Sequence, residues 1–501
     1  MSSTEISRRN FMKAAGATAG VAIGAGYSPF SYAQNEKVRV GCIGTGGQGT
    51  FHIRDGMTGT PDILITAVCD VFLPHQREAV RYAQLSNAGI ELTPGTRLTD
   101  EERQRASEAY RPNAYYDYKE MLASEELDAV VISTPLDTHY QITMDCLDAG
   151  LYVFCEKTLV RSIDEGRSMV TKCHELGRWV QVGHQRRYNP KYNMAKGLVY
   201  DDNMIGRITH VTAQWHRNHF WRRVMPAEYE LNEEEKKYID DLEKHLNWRI
   251  FEDLSDGLFT ELATHQTDVA NWFLKAMPAR VHTFAGLDYW RDGRTTDDNI
   301  LISYEYDINP GDPGFIPIDA RSQYQRLNLI NRGYSVRFVY SSILANAQRG
   351  ASELIQGDKG TLELTEQQCF LYGEDVLVQE VEEDLTAEEL AQRTTSGATL
   401  QVSTDAMLKG IELLGDAVLD TPDVHQFRAF ANCIKNGGVP LNNEMVGYTT
   451  ALTAIAAVQS RDEGRVVEID PELYTFDFAV PSFHAYYRWD EEKDAPGEHV
   501  V

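Results

Sequence analysis

The chain has 501 residues, of which 42% are hydrophobic and 25% charged, an ordinary globular composition long enough for two domains. Its formal net charge is −27. So acidic a surface repels phosphate backbones and anionic lipid, which argues against nucleic-acid and membrane-surface partners.

In chain order, residues 1–33 read as a twin-arginine export signal rather than part of the fold. Ser7-Arg8-Arg9-Asn10-Phe11-Met12-Lys13 supplies the paired arginines, and an Ala/Gly-rich stretch follows. Small residues in Ser31-Tyr32-Ala33 predict cleavage before Gln34. The expected location is the periplasm or another exported compartment, reached through the twin-arginine machinery. No later run is apolar for long enough to span a bilayer.

From Val38 the pattern alternates apolar runs with helical segments. Strands are predicted at 38–43, 63–69, 128–133, 151–155 and 179–183, with crossover helices between them, as a parallel sheet requires. The first strand runs into Gly44-Thr45-Gly46-Gly47-Gln48-Gly49. Glycines there allow a tight turn, close approach to a pyrophosphate and tight helix packing. The next strand ends in Asp70, about twenty residues beyond Gly49, where an acidic residue grips a ribose hydroxyl. Val71 and Phe72 follow, with no arginine for a 2′-phosphate, which favours NAD over NADP. A polar stretch near 89–113 reads as a surface loop.

After Gln185 the runs 207–216, 279–287, 297–306 and 335–343 are longer and alternate apolar with polar residues, as in an open antiparallel sheet. The acidic stretch 227–247 reads as a solvated helical insertion. Helices are predicted over 424–436 and 443–462. The expected units are 1–33 (signal), 36–184 (dinucleotide-binding domain), 185–480 (substrate-binding and oligomerisation domain) and 481–501 (acidic tail). Cys42, Cys69, Cys146, Cys155, Cys173, Cys369 and Cys433 read as small core residues, and no pair has metal-ligand spacing.

Three further motifs carry a resemblance. They are Cys155-Glu156-Lys157-Thr158, Gly183-His184-Gln185-Arg186-Arg187-Tyr188-Asn189-Pro190, and the segment from Gly257 through Glu261 and His265 to Asp268. With the glycine turn they resemble the Gfo/Idh/MocA family (glucose-fructose oxidoreductase/inositol dehydrogenase) over about residues 36–470. The resemblance implies an α/β protein with an N-terminal Rossmann domain and a C-terminal α/β domain of open, mainly antiparallel sheet. It also implies a nicotinamide cofactor, a sugar or polyol substrate, and a homodimer or homotetramer. Glu156-Lys157-Thr158 matches the family's Glu-Lys-Pro, whose lysine reaches the substrate hydroxyl, and Glu261 and His265 match its Asp-x-x-x-His. Two departures stand out: Thr158 replaces proline, and Glu261 replaces aspartate.

Oxidising an alcohol removes a hydride and a proton, so a base must reach the hydroxyl. His265 is the expected base. Lys157 would stabilise alkoxide charge, and Glu261 would orient the ring or bind the sugar. Gly44, Gly46, Gly49 and Asp70 are the expected cofactor contacts, joined through the resemblance by Thr134, Pro135, His139 and Glu156. Arg186, Tyr188 and Asp268 are candidates to line or support the substrate site. Trp215 and Arg217 belong to an aromatic and basic stretch, 215–223, that suits either a sugar site or an oligomer interface. The leading reading is an exported NAD-dependent oxidoreductase of sugar or glycoside hydroxyls with tightly held coenzyme. A redox-assisted glycosidase or lyase and a non-catalytic sugar-binding relative stay open beside it.

Overall fold

The computed structural model describes residues 36–91, 97–224, 228–317, 332–373, 410–415, 420–490 and 495–500. The predicted signal segment lies outside them.

Six short strands form one parallel sheet: β1 (Val38–Ile43), β2 (Ile63–Cys69), β3 (Asn113–Tyr115), β4 (Ala129–Ile132), β5 (Tyr152–Cys155) and β6 (Val180–Val182). Their order is β3-β2-β1-β4-β5-β6, a doubly wound Rossmann sheet whose direction of winding reverses between β1 and β4. Ligands bind such sheets at that reversal, beyond the carboxyl ends of the strands. The central strands are buried on both faces, which explains their unbroken Val/Ile/Ala runs.

The second sheet has nine strands. β7 (Ile208–His216), β8 (Arg280–Gly286), β9 (Asn299–Ile308) and β10 (Tyr334–Ile343) answer to the four predicted runs. β11 (Ala351–Gly357), β12 (Gly360–Leu364), β13 (Cys369–Gly373), β14 (Ile411–Glu412) and β15 (Val467–Glu468) complete the order β14-β13-β12-β11-β7-β10-β9-β8-β15. Among the described strands of this sheet, only β7 and β10 pair in parallel. One face of this sheet packs on the helices Pro190–Tyr200, Thr264–Leu274 and Glu444–Glu463 through one apolar core. The other face is open, with Phe284 65% and Leu301 45% exposed.

Two expectations are corrected, and the tail is given structure. The stretch near 89–113 is not simply a loop. It contains the helix Asp100–Glu108, started by a reciprocal capping box in which Thr99 Oγ1 accepts from Glu102 N and the Glu102 carboxylate accepts from Thr99 N. The acidic stretch 227–247 is not one solvated helix: many of its residues are exposed, but its described residues hold only the short turns Glu235–Lys237 and Leu242–Leu246. It is anchored by Glu235, which is fully buried and accepts from Leu73 N at 2.8 Å and Tyr229 Oη at 2.6 Å. The tail after 481 contains a two-stranded ribbon, β16 (Tyr486–Asp490) with β17 (Ala495–Val500).

The core of the Rossmann unit is not closed by its own segment alone. The helix Pro422–Asn436 returns to it, placing Phe427, Phe430 and Ile434 among Ile53, Met57 and Phe154. Phe427 lies against His52 and Phe154, with ring centroids 5.1 and 4.9 Å away. The seven cysteines are all buried and unpaired. Phe427→Ala should therefore destabilise the Rossmann unit, although it lies more than two hundred residues along the chain from it. The expected loss is about 3–5 kcal/mol in denaturant unfolding, and a loss under about 1 kcal/mol would show that the helix merely rests on the surface.

Candidate active site

The glycine turn places backbone where a side chain could not fit. Gly44 has φ +78°, and a Cβ there would lie 2.7 Å from Thr134 N. A Cβ on Gly49 would collide with the Gly44 carbonyl oxygen. The turn thus packs directly against the end of β4 at the point where the winding reverses. Asp70, at the end of β2, accepts from Thr45 N at 2.7 Å and from Phe72 N at 2.8 Å. Burial raises its pKa, but His75 and these two amides outweigh burial and hold the carboxylate below its ordinary value. Asp70 is therefore a brace for the glycine turn as well as the candidate ribose ligand.

Beyond this turn opens a cavity of about 540 Å³, within the usual range for small-molecule sites. Gly47, Gln48, Ser133, Thr134, His139, Glu156 and Lys157 line it from the Rossmann unit. Trp215, Arg217, Glu261 and His265 line it from the second domain, with Arg223, Trp248 and Arg249 from the segments around the insertion. The expected Lys157–His265 convergence is thus present: both side chains face one cavity from different domains.

Lys157 follows β5, and its peptide bond to Thr158 is cis. Lys157 Nζ donates to the Glu261 carbonyl at 3.0 Å and lies 3.6 Å from Glu261 Oε2. The same carboxylate oxygen accepts from Arg249 Nε at 2.9 Å. Burial raises the Glu261 pKa, while Lys157 and Arg249 more than reverse it and keep Glu261 ionised. Glu261 therefore anchors two cations and does not orient the His265 ring, as one sequence expectation had it. The extra methylene relative to aspartate lets the carboxylate reach both partners.

His265 begins the helix Thr264–Leu274, and its Nδ1 has no hydrogen-bond partner among the described residues. Its ring sits 5.2 Å from that of Trp215 and 6.2 Å from that of His184. Burial, then the charges of Lys157, Arg186 and Arg217, push its pKa well below the ordinary value, so it is a neutral imidazole at pH 7. A neutral ring beside an ammonium is ready to accept a proton. Glu156 is placed by His52, whose Nε2 is 2.5 Å away, and its carboxylate fills the space a Cβ would take at Gly183. Burial pushes the neighbouring Asp423 up to about 6.

Three residues expected at the substrate instead lie behind the wall. Asp268 is buried and grips Arg187 Nε at 2.9 Å. Arg186 lies 3.5 Å from Glu353 and stacks under Trp215. Tyr188 is buried, and its hydroxyl accepts from Leu441 N at 3.1 Å. These are corrections: the charges of Arg186 and Asp268 meet buried partners, and none of the three lines the cavity. Pro135 turns the chain away from it, its carbonyl accepting from Thr138 N. Conversely, Arg249 was not anticipated, and Arg223 was expected only as part of the stretch 215–223, not beside the glycine turn. The guanidinium of Arg223 occupies the space beside Gly47, 2.7 Å from where its Cβ would be.

The family model for the NAD-binding Rossmann fold of the Gfo/Idh/MocA oxidoreductases matches residues 38–184, and the C-terminal-domain model of the same family matches residues 193–309. Together the two matches span more than half of the chain. The chain belongs to the Gfo/Idh/MocA oxidoreductase family. Among curated family members, the inositol 2-dehydrogenase/D-chiro-inositol 3-dehydrogenase of Lactiplantibacillus plantarum is 23% identical over 450 residues, 88% of this chain and 98% of its own. An inositol 2-dehydrogenase of Rubrobacter xylanophilus is 30% identical over 185 residues, 37% of this chain and under half, 45%, of the relative. In fold the chain is similar to a levoglucosan dehydrogenase solved with NADH, at TM-score 0.56 and 17% identity, covering 87% of this chain and all of that one. The family's nicotinamide coenzyme fits what the residues offer: a side-chain-free cradle at Gly44–Gly49, a guanidinium beside it, and a cavity leading to Lys157 and His265.

His139 links the two strand-end loops that face the coenzyme cleft. Its Nδ1 lies 2.8 Å from the Thr158 carbonyl oxygen and its Nε2 3.0 Å from that of Thr134. Two acceptors on one ring call for two N–H donors, hence an imidazolium. Burial opposes the charge, but the Cys155 sulfur and these carbonyls push its pKa up to about 9. A raised folded-state pKa stabilises the protein below the unfolded value of about 6.5, and that stabilisation is lost as pH climbs through about 9. The stability gap between wild type and His139→Ala should therefore narrow between those two pH values, by up to about 3 kcal/mol. A gap independent of pH in urea unfolding would show that the ring is neutral.

Proposed function

We propose that this protein is an exported NAD-dependent dehydrogenase that oxidises a secondary hydroxyl of a sugar or polyol. The observation that carries the reading is the meeting of Lys157, from the end of β5, and His265, from the second domain, at one cavity that begins at the glycine turn. The coenzyme, when bound, supplies the hydride acceptor. Gly44, Gly46, Gly49 and Arg223 would hold its diphosphate, and Thr134 and Glu156 would face its nicotinamide half.

His265 takes the hydroxyl proton on its ring. Lys157, kept in place by Glu261, donates to the same oxygen and stabilises the negative charge that develops there. Trp248 offers an indole to the sugar's C–H surface, and Trp215, its ring stacked by Arg186 and Arg217, walls the cavity against water. The inositol and levoglucosan dehydrogenases similar to this chain support a polyhydroxylated substrate. The Ser7–Lys13 motif supports export, and export of a folded protein supports a coenzyme retained from the cytoplasm. The open face of the nine-stranded sheet supports a homo-oligomer.

Denaturing the purified protein and weighing the released nucleotide should give NAD or NADH. A screen of saccharides and inositols should then produce reduced nicotinamide. Lys157→Ala and His265→Ala should each lower kcat by about 10²–10⁴-fold while the nucleotide content holds. Turnover that survives both substitutions, or release of aglycone with no nicotinamide reduction, would overturn the reading.

A further inference from the structure

We propose that the substrate is an acidic saccharide and that Arg217 receives its carboxylate. The inference deepens the dehydrogenase reading and rests on it. Most cations facing the cavity already have carboxylate partners. Lys157 and Arg249 share Glu261, and Arg222 pairs with Glu243 and Asp292. The guanidinium groups of Arg217 and Arg223 have no acceptor among the described residues. They stand at different places. Arg223 is beside Gly47, where the coenzyme's diphosphate belongs. Arg217 follows β7, its Cζ 4.7 Å from the Trp215 ring and 5.9 Å from that of Trp221, and it acts electrostatically on His265.

A guanidinium held half-buried without a counter-ion carries a desolvation cost that an arriving anion removes. Burial, with the neighbouring Arg249, outweighs Tyr340 and Glu366 and weakens the hold of Arg217 on its own charge, and no carboxylate among the described residues stands at ion-pair distance from it. The two indole faces fix the plane of the fork, and a fixed fork matches a carboxylate in bidentate fashion. The side-chain charges acting most strongly on His265 are the cations Lys157, Arg186 and Arg217, inside a protein whose net charge is −27. The coenzyme's diphosphate would be held beside Gly47 by Arg223, which leaves Arg217 to another anion. A single unpartnered guanidinium suits the single charge of a uronate or aldonate better than a phosphate dianion.

The test compares D-glucuronate with D-glucose, and D-galacturonate with D-galactose, on the coenzyme-loaded full chain, with D-glucose 6-phosphate as a further arm. The acidic member of each pair should have a kcat/KM about 10- to 100-fold higher, and added salt should shrink the ratio. Arg217→Ala should bring the ratio close to one, and Arg217→Lys should restore part of it. Each protein's nucleotide content serves as the check on folding. Equal or better turnover of the neutral sugars would overturn the inference and leave the dehydrogenase reading standing. A preference for the sugar phosphate would overturn the carboxylate assignment. If the coenzyme is present but no saccharide is oxidised, the dehydrogenase reading falls. A saturable change in tryptophan fluorescence with glucuronate, lost in Arg217→Ala, would then still support the anion site, and no change would end it.

Discussion

The contact between Lys157 and Glu261 is the constraint on which the site depends. It joins the loop after β5 to the helical turn Phe259–Ala263 of the second domain. Thr158 Oγ1 donates to the Thr260 carbonyl at 2.9 Å, and Arg161 donates to the Asp253 carbonyl at 2.7 Å and pairs with Asp256. Three side chains from one short segment thus fasten the coenzyme unit to the domain that carries His265. Without this seam Lys157 would be one more mobile surface lysine. With it, an ammonium is fixed on the cavity wall it shares with a buried imidazole, and its charge helps to keep that imidazole neutral.

The same seam explains why the carboxylate at position 261 is better seen as an anchor than as a proton carrier. Its oxygens face Lys157, Arg249 and the Ser255 hydroxyl, all of which favour the ionised form. His265 is left with an unpartnered Nδ1. In a buried ring that is costly unless a ligand or water completes it. The division of labour follows from environment: a carboxylate surrounded by cations stays charged, and an imidazole surrounded by cations stays neutral.

Much of this was legible in the sequence. Strands β1, β2, β4, β5 and β6 begin and end within a residue or two of the expected positions, because buried parallel strands read as bare apolar runs between helices. The cavity-lining pair Lys157 and His265 was legible because each follows a recognisable motif. The strands β11 to β13 were not found. In β11 a buried charge breaks the alternation, since Glu353 is 1% exposed and meets Tyr192 Oη at 2.5 Å and Arg186 at 3.5 Å, and β12 and β13 are runs of only five residues each. Arg186 and Asp268 misled for the same reason, since a charged residue near a motif reads as facing ligand when its partner is distant in sequence. Arg249 was missed because it lies just past the acidic insertion, and Arg223, although within the stretch 215–223, carries no motif of its own. Their relevance appears only in the fold, where Arg223 reaches the space beside Gly47 and Arg249 meets Glu261.

The most direct measurement is a crystal structure of the full chain with NADH and the oxidisable sugar bound together. The account predicts one carbinol oxygen within about 3.2 Å of both Lys157 Nζ and a ring nitrogen of His265, on the carbon that faces the nicotinamide. A carbinol reached by neither side chain, with the sugar held elsewhere on the molecule, would contradict it.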